Sequence, residues 1–184
     1  EAEPLYDEAL KIRRKALPEG HPDIANSLNN LAELYRGQGR YGEAEPLYDE
    51  ALAIRRKVLP EGHPDIAVSL NNLALSYRSQ GRLTRVEPLL VEALEIWRKA
   101  LPDNHPNIAT VLYSLGYIYQ SRGNYTKAEK LYKEVLTMRR NVLSENHPDI
   151  AETYLQLASL YQAQGRHSEA ATMSYKAKQI LRRR

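Results

Sequence analysis

Shifting this 184-residue chain by 42 residues superposes it on itself, and that periodicity excludes most of the ways a chain of its length could fold. Residues 1–42 and 43–84 agree at 34 of 42 positions, residues 85–126 and 127–168 are looser copies, and 169–184 begins a fifth. A fixed period of this size belongs to repeat architectures, in which each unit packs only on its neighbours. The period alone admits both helix-pair arrays and strand-built blades, so the pattern inside the unit has to choose.

No segment sustains the two-residue alternation of β-branched residues that strands need. Helical spacing is clear instead. Ala25, Leu28, Leu31, Ala32 and Tyr35 recur at intervals of three and four, as one helix face does. A second, longer set runs through Ala44, Leu47, Tyr48, Ala51, Leu52, Ile54, Val58 and Leu59. Each unit therefore holds a shorter helix A and a longer helix B. Gly39, Gly81, Gly123 and Gly165 follow helix A, where a left-handed residue ends the helix without steric cost. Pro60 disfavours helical geometry at Leu59 and stops helix B there. Ser144 stands in place of that proline in the fourth linker, which predicts a softer stop. Pro46 lies early in helix B, where the first N–H groups have no internal partner. The resulting map is a helix B over 1–16, then A/B pairs at 22–37 and 41–58, 64–79 and 84–100, 106–121 and 125–142, and 148–163 and 167–182. With their linkers these are one repeat domain over 1–184: a B helix at 1–17, then pairs at 21–59, 63–101, 105–143 and 147–184.

The order Leu28, Leu31, Ala32, Tyr35, Gly39, Tyr41, Ala44, Tyr48, Ala51 resembles the tetratricopeptide (TPR) signature. The second copy keeps Leu70, Leu73, Ala74, Tyr77 and Gly81, then departs at Leu83, Val86 and Leu90 before Ala93 restores the pattern. The third reads Leu112, Leu115, Gly116, Tyr119, Gly123, Tyr125, Ala128, Tyr132, Val135, and the fourth Tyr154, Leu157, Ala158, Tyr161, Gly165, His167, Ala170, Ser174, Ala177. A common TPR unit has about 34 residues. The longer version here is similar to the repeats of kinesin light chains and their prokaryotic relatives. The resemblance implies an all-α fold, a right-handed TPR-like α-α superhelical solenoid of antiparallel helix pairs. Because the chain opens in mid-repeat and without Met, it reads as a fragment of a longer array.

The linkers LPEGHPDIA, LPDNHPNIA and LSENHPDIA carry His21, His63, His105 and His147, each 42 residues from the next. Equivalent points on neighbouring repeats lie two helix layers apart, about 10 Å or more. Two histidines on one zinc keep their nitrogens within about 4 Å, so these four do not share an ion. They stand instead at the N-cap of each helix A, ahead of a proline at the first helical position and of Asp23, Asp65 or Asp149 at the positive end of the helix dipole. Asn107 takes that place in the third copy. There is no cysteine, no glycine-rich phosphate loop, no HExxH and no serine elbow, so neither catalysis, a metal nor a cofactor is expected. Adjacent acids such as Asp49 and Glu50 read as a solvated surface. No apolar run reaches the ~20 residues of a membrane span and no signal peptide is visible. Lack of cysteine fits a reducing compartment, and a cytoplasmic location is expected.

What is left is a surface. The resemblance places ligand-facing residues at the second, fifth, sixth, ninth and twelfth signature places of helix A. In the first repeat these are Asn26, Asn29, Asn30, Glu33 and Arg36, and in the second Val68, Asn71, Asn72, Leu75 and Arg78. In the third they are Thr110, Tyr113, Ser114, Tyr117 and Gln120, and in the fourth Glu152, Leu155, Gln156, Ser159 and Gln162. Asparagines such as Asn30 and Asn72 suit the backbone of an extended peptide. Leu75, Tyr113, Tyr117 and Leu155 suit an apolar side chain. Arg36 and Arg78 suit an acid. No Lys or Arg stands at the second, fifth or sixth place of any repeat, so the TPR carboxylate clamp for chain termini is not expected. Of the eight differences between the first two repeats, Asn26 to Val68 and Glu33 to Leu75 fall on this strip and hint at ligand-driven divergence. The first expectation is thus a scaffold for a protein or peptide ligand. The alternatives are end-to-end self-association through uncapped terminal helices and, less favoured, RNA binding. The pairs Arg13–Arg14, Arg55–Arg56 and Arg139–Arg140 motivate the latter. A formal charge of +3, equal to the Arg182–Arg184 run, argues against it.

Overall fold

The computed structural model describes residues 2–182. Residue 1 of the first expected helix and residues 183–184 of the terminal arginine run lie outside the described residues. Nine helices and no strand are present among the described residues: α1 (Ala2–Ala16), α2 (Pro22–Gly37), α3 (Tyr41–Val58), α4 (Pro64–Ser79), α5 (Leu83–Ala100), α6 (Pro106–Ser121), α7 (Tyr125–Val142), α8 (Pro148–Ala163) and α9 (His167–Arg182). They form two compact units, one within Glu1–Ala100 holding α1–α5, the other within Leu101–Arg184 holding α6–α9.

The helix ends follow local chemistry. In each linker the histidine Nδ1 accepts a hydrogen bond from the backbone N–H two residues on, at 3.1 Å for His21 and His105 and 3.2 Å for His63 and His147. That caps α2, α4, α6 and α8, with proline next in line. At the far end of α2, Gly39 takes φ 75°, and the Arg40 N–H turns back to the Tyr35 carbonyl at 2.9 Å. Two expectations are corrected. Pro46 is the sixth residue of α3, past the first four N–H groups, because α3 starts at Tyr41 immediately after Arg40. It therefore removes one internal donor and leaves the Gly42 carbonyl without its usual partner. The fourth stop is no looser in geometry than the second. Leu143, at φ −109° and ψ 155°, matches Leu59, at φ −100° and ψ 150°, and each donates to the arginine four residues back at 2.9 Å. The Ser144 carbonyl accepts from the His147 N–H at 2.9 Å, so serine holds the turn as proline does.

Small residues let the paired helices close up. In unit 1, Ala25, Ala32, Ala44 and Ala51 are wholly buried around Leu28, Leu31 and Tyr48. Val58, expected on the apolar face, is largely exposed at the end of α3. In unit 2 the place of Ala32 is taken by Gly116, where a Cβ would stand 2.7 Å from the Tyr132 ring. Tyr132, Leu157, Leu160 and Tyr161 form the core beside it, and Ile150, Tyr154, Ala177 and Ile180 form a second cluster under α9.

Two polar joints bind consecutive repeats. In the first, a tyrosine of helix A, a glutamate of the preceding helix B and an arginine at the next turn meet. Tyr77 donates to Glu45 at 3.1 Å, and Arg82 bonds the same carboxylate at 2.6 Å while stacking 4.5 Å from the tyrosine ring centre. Tyr161, Glu129 and Arg166 repeat this at 3.1, 2.6 and 4.1 Å, and Arg40 links Glu3 at 2.7 Å over the Tyr35 ring. The second joint is the first arginine of each recurrent pair. Arg55 reaches from α3 to the Asp65 carbonyl at 2.9 Å, the Ser69 hydroxyl at 2.8 Å and Asn26 at 2.8 Å, joining α2, α3 and α4. Arg13 bonds Asp23 and Ser27, and Arg139 bonds Asp149 and Thr153, in the same manner.

Candidate peptide-binding surface

Because α2 and α4 turn one face to their partner helices, most of the strip positions of each lie on the remaining face. Asn26 and Asn30 are exposed, while Val68, Asn72, Leu75 and Arg78 are half-buried. Not all of these side chains are free for a ligand. Asn26 accepts from Arg55. Glu33 is held by Arg36 three residues on and accepts the Tyr48 hydroxyl at 2.9 Å. Arg36, more than burial or Tyr48, holds the Glu33 carboxyl below its ordinary pKa. Arg36 is thus already satisfied within its own helix. Asn29 is buried and donates to Ser69 at 3.5 Å, and its carbonyl oxygen, like that of Asn71, is enclosed by protein. Asn29 belongs to the layer beneath the strip, because position five of α2 faces α4.

The two strip differences between the first repeats have a structural cause. Asn26 binds Arg55, and the residues 42 further on are Val68 and Trp97. Glu33 binds Tyr48, and the residues 42 further on are Leu75 and Leu90. Each polar pair is exchanged as a pair for an apolar one, and Trp97 and Leu90 are buried. The changes thus follow exchanges in the core. The third member of the Arg55 joint changes with them, since the residue 42 beyond Ser69 is Val111, also buried.

In unit 2, α6 and α8 carry the strip. Tyr113 is half-buried, its ring 5.7 Å from that of Tyr132, with the Arg139 guanidinium 5.0 Å above it. Burial, then the Glu152 carboxylate bonded to it, pushes its hydroxyl pKa up to about 12. Glu152 also meets Arg139 at 3.3 Å. Gln120 donates to Ser159 at 3.2 Å and accepts from Tyr132 at 3.1 Å, so α6 and α8 are laced together along this face. Thr110 bonds its own helix at the Pro106 carbonyl, and Gln162 meets His167 at 3.2 Å. Ser114 is buried and lies under the strip, a correction to the sequence expectation. Gln156 is half-buried. Two large apolar side chains stay open on this face, Tyr117 at 42% and Leu155 at 44% exposure.

Sequence reasoning passed over the arginine joints. Their signal was present: Arg55, Ser69 and Asn26 change together to Trp97, Val111 and Val68, and to Arg139, Thr153 and Thr110 in the next repeat. Glu50, read as solvated, accepts both bonds of Arg14 at 2.7 Å, and Glu92 accepts Arg56 at 2.6 and 2.7 Å. Arg13, Arg14, Arg55, Arg56 and Arg139 therefore serve the joints between helices, which takes away most of the motive for an RNA reading. No group of three metal-binding side chains converges among the described residues, and none of the described helices is long and apolar enough to cross a membrane.

A tetratricopeptide repeat family model matches residues 1–57, 65–141 and 107–183. Among solved structures, BtubC (BKLC) from P. vanneervenii is 29% identical with a TM-score of 0.87, over 97% of this chain and 71% of that one. A Podosopora anserina protein described as a kinesin light chain with nearly identical TPR-like repeats is 29% identical with a TM-score of 0.81, over 98% and 85%. MamA, 18% identical with a TM-score of 0.68 over 97% and 90%, shares the fold. No curated protein matches the chain significantly.

Proposed function

This chain belongs to the tetratricopeptide repeat family, with repeats of kinesin-light-chain-like type, and on that premise we propose that its A helices hold an extended internal peptide segment of a partner protein. Repeats of this family serve in protein–protein interaction and scaffolding, and this chain is read as a scaffold and not as a catalyst.

The observation that carries the peptide reading is the pair Tyr117 and Leu155. Both are large and apolar, both sit on strip positions, and neither is used by the core. Around them the strip of unit 2 carries Gln156, Ser159 and Gln162, the last two already meeting Gln120 and His167, with Glu152 as its one charge and no Lys or Arg. Such a surface suits a peptide that brings an apolar or aromatic side chain and an unpaired backbone, with its terminal carboxylate elsewhere. Unit 1, taken by itself, offers the amides of the exposed Asn30 and half-buried Asn72 for main-chain bonds to a peptide.

The test is a peptide array screened with the full chain, followed by substitution against the strongest binder. Tyr117→Ala is expected to weaken binding by roughly 2 kcal/mol, about 30-fold. Asn72→Ala is expected to weaken it by about 1 kcal/mol. Val91→Ala, on the exposed face of a B helix, should leave it unchanged. Binding indifferent to Tyr117 and Leu155 but lost on changing B-helix residues would overturn the proposal.

A further inference from the structure

Arg55 of α3 and Arg139 of α7 hold the same place two repeats apart, and both are buried, at 6% and 9% exposure. Their Nη1 atoms do the same work. Arg55 Nη1 donates to the Asp65 carbonyl at 2.9 Å and the Ser69 hydroxyl at 2.8 Å. Arg139 Nη1 donates to the Asp149 carbonyl at 2.7 Å and the Thr153 hydroxyl at 2.8 Å. Their Nη2 atoms differ. That of Arg55 donates to the side-chain amide oxygen of Asn26 at 2.8 Å. The residue two repeats on from Asn26 is Thr110, whose hydroxyl donates to the Pro106 carbonyl of its own helix at 3.0 Å. Among the described residues, Arg139 Nη2 makes no hydrogen bond, and its ion-pair partner, the Asp149 carboxylate, is 4.0 Å away.

Beside this guanidinium, unit 2 has a cavity of about 60 Å³, between the starts of α6 and α8 and the end of α7. Arg139, Thr110 and Asp149 line it, and Ala109, Met138 and Leu143 make its walls apolar. A water-sized group needs about 10–15 Å³ of such space, so the cavity has room for about four heavy atoms. That is the size of a CH2–CONH2 group, and in unit 1 a side-chain amide is the group this nitrogen takes.

Charge narrows the choice further. Asp149 and Glu152, the latter 3.3 Å from Nη1, already flank the one guanidinium, so an incoming carboxylate meets like charge. An ammonium has no acceptor to offer. A main-chain amide carries a Cα on each side and exceeds the space. A primary amide fits on every count: its oxygen accepts from Nη2 and its NH2 donates to the Asp149 carboxylate.

We propose that this cavity is a subsite for the side chain of an Asn or Gln in the bound peptide, a proposal that rests on the peptide-binding face described above. Thr110 is a strip position, and Tyr117 stands seven residues further along α6, about 10.5 Å away. An extended peptide covers that distance in about three residues, so the amide and the apolar anchor of one ligand belong about three positions apart.

Two probes separate the subsite from the peptide-binding face. Acetamide and, separately, acetate are titrated against the full chain while the Arg139 guanidinium N–H signals are followed by NMR. Acetamide should shift them saturably, and acetate at the same concentration should not. Thr110→Asn, an exchange at an exposed position that supplies the amide of unit 1, should abolish the acetamide shift. In the peptide array, binders should carry Asn or Gln at one position, about three from an apolar residue. Replacing that residue by Ala should weaken binding to the original chain roughly tenfold. The Thr110→Asn chain should bind both peptides at the weaker value. No acetamide response, an equal acetate response, a response that survives Thr110→Asn, or array binders indifferent to the amide would each overturn the inference. An array without binders, or binding indifferent to Tyr117, would overturn the peptide-binding face instead, and the acetamide titration would still decide the subsite.

Discussion

At the scale of the residue, Arg55 shows what helical periodicity reveals and what it hides. It lies three residues after Leu52, on the buried side of α3, yet in an arginine pair it reads as surface charge. The structure buries it and gives it Asn26, Ser69 and the Asp65 carbonyl. Burial draws its pKa down, with Asp65 opposing, but a guanidinium keeps its charge. Arg55→Ala should lower stability by about 3 kcal/mol in urea unfolding, since three acceptors, the buried Ser69 hydroxyl among them, lose their donor at once. Replacing Arg55, Ser69 and Asn26 together by Trp, Val and Val, as the next register carries them, should cost less than Arg55→Ala. Glu129 gives a pH test. Arg166 foremost, then Lys133 and Tyr161, hold its carboxyl down at about 2 against an ordinary 4.5, with burial opposing. A carboxyl lowered on folding contributes stability above its unfolded pKa and loses it as pH falls through the folded value. Glu129→Gln should therefore flatten the acid limb of stability between about pH 4.5 and 2, a window in which the original chain weakens.

At the scale of the element, helix starts and stops were legible because each has a local cause. The four histidine caps followed from His-Pro-Asp and His-Pro-Asn before an apolar run, and each Nδ1 accepts the expected backbone bond. His→Ala at all four should lower stability by about 2 kcal/mol in total and leave peptide binding within a factor of two, read by titration of one array peptide against both chains. The strip was only partly legible. Helical spacing tells which side chains turn away from the partner helix, but not which are taken by a neighbouring repeat. Asn29 and Ser114 are covered from there, and Asn26 and Glu33 are engaged by Arg55 and Tyr48. Those partners lie 15 and 29 residues away along the chain, a separation no single-helix pattern reports.

At the scale of the whole molecule, the repeat settled the family because 42-residue self-similarity and the small-residue pattern occur together across nearly the entire chain. On the proposed reading, ligand identity is written differently, in a few side chains that the repeat does not need. Tyr117 and Leu155 are the clearest of these, and they became visible only once the core had claimed its own. The account stands on the claim that activity lies along the A-helix face. Hydrogen exchange of the full chain, with and without the strongest array peptide, tests it most directly. Slowed exchange should fall on α2, α4, α6 or α8, with Tyr117 and Leu155 within the slowed segments and α3, α5 and α7 unchanged. Protection confined to the B helices or to the histidine linkers would contradict it.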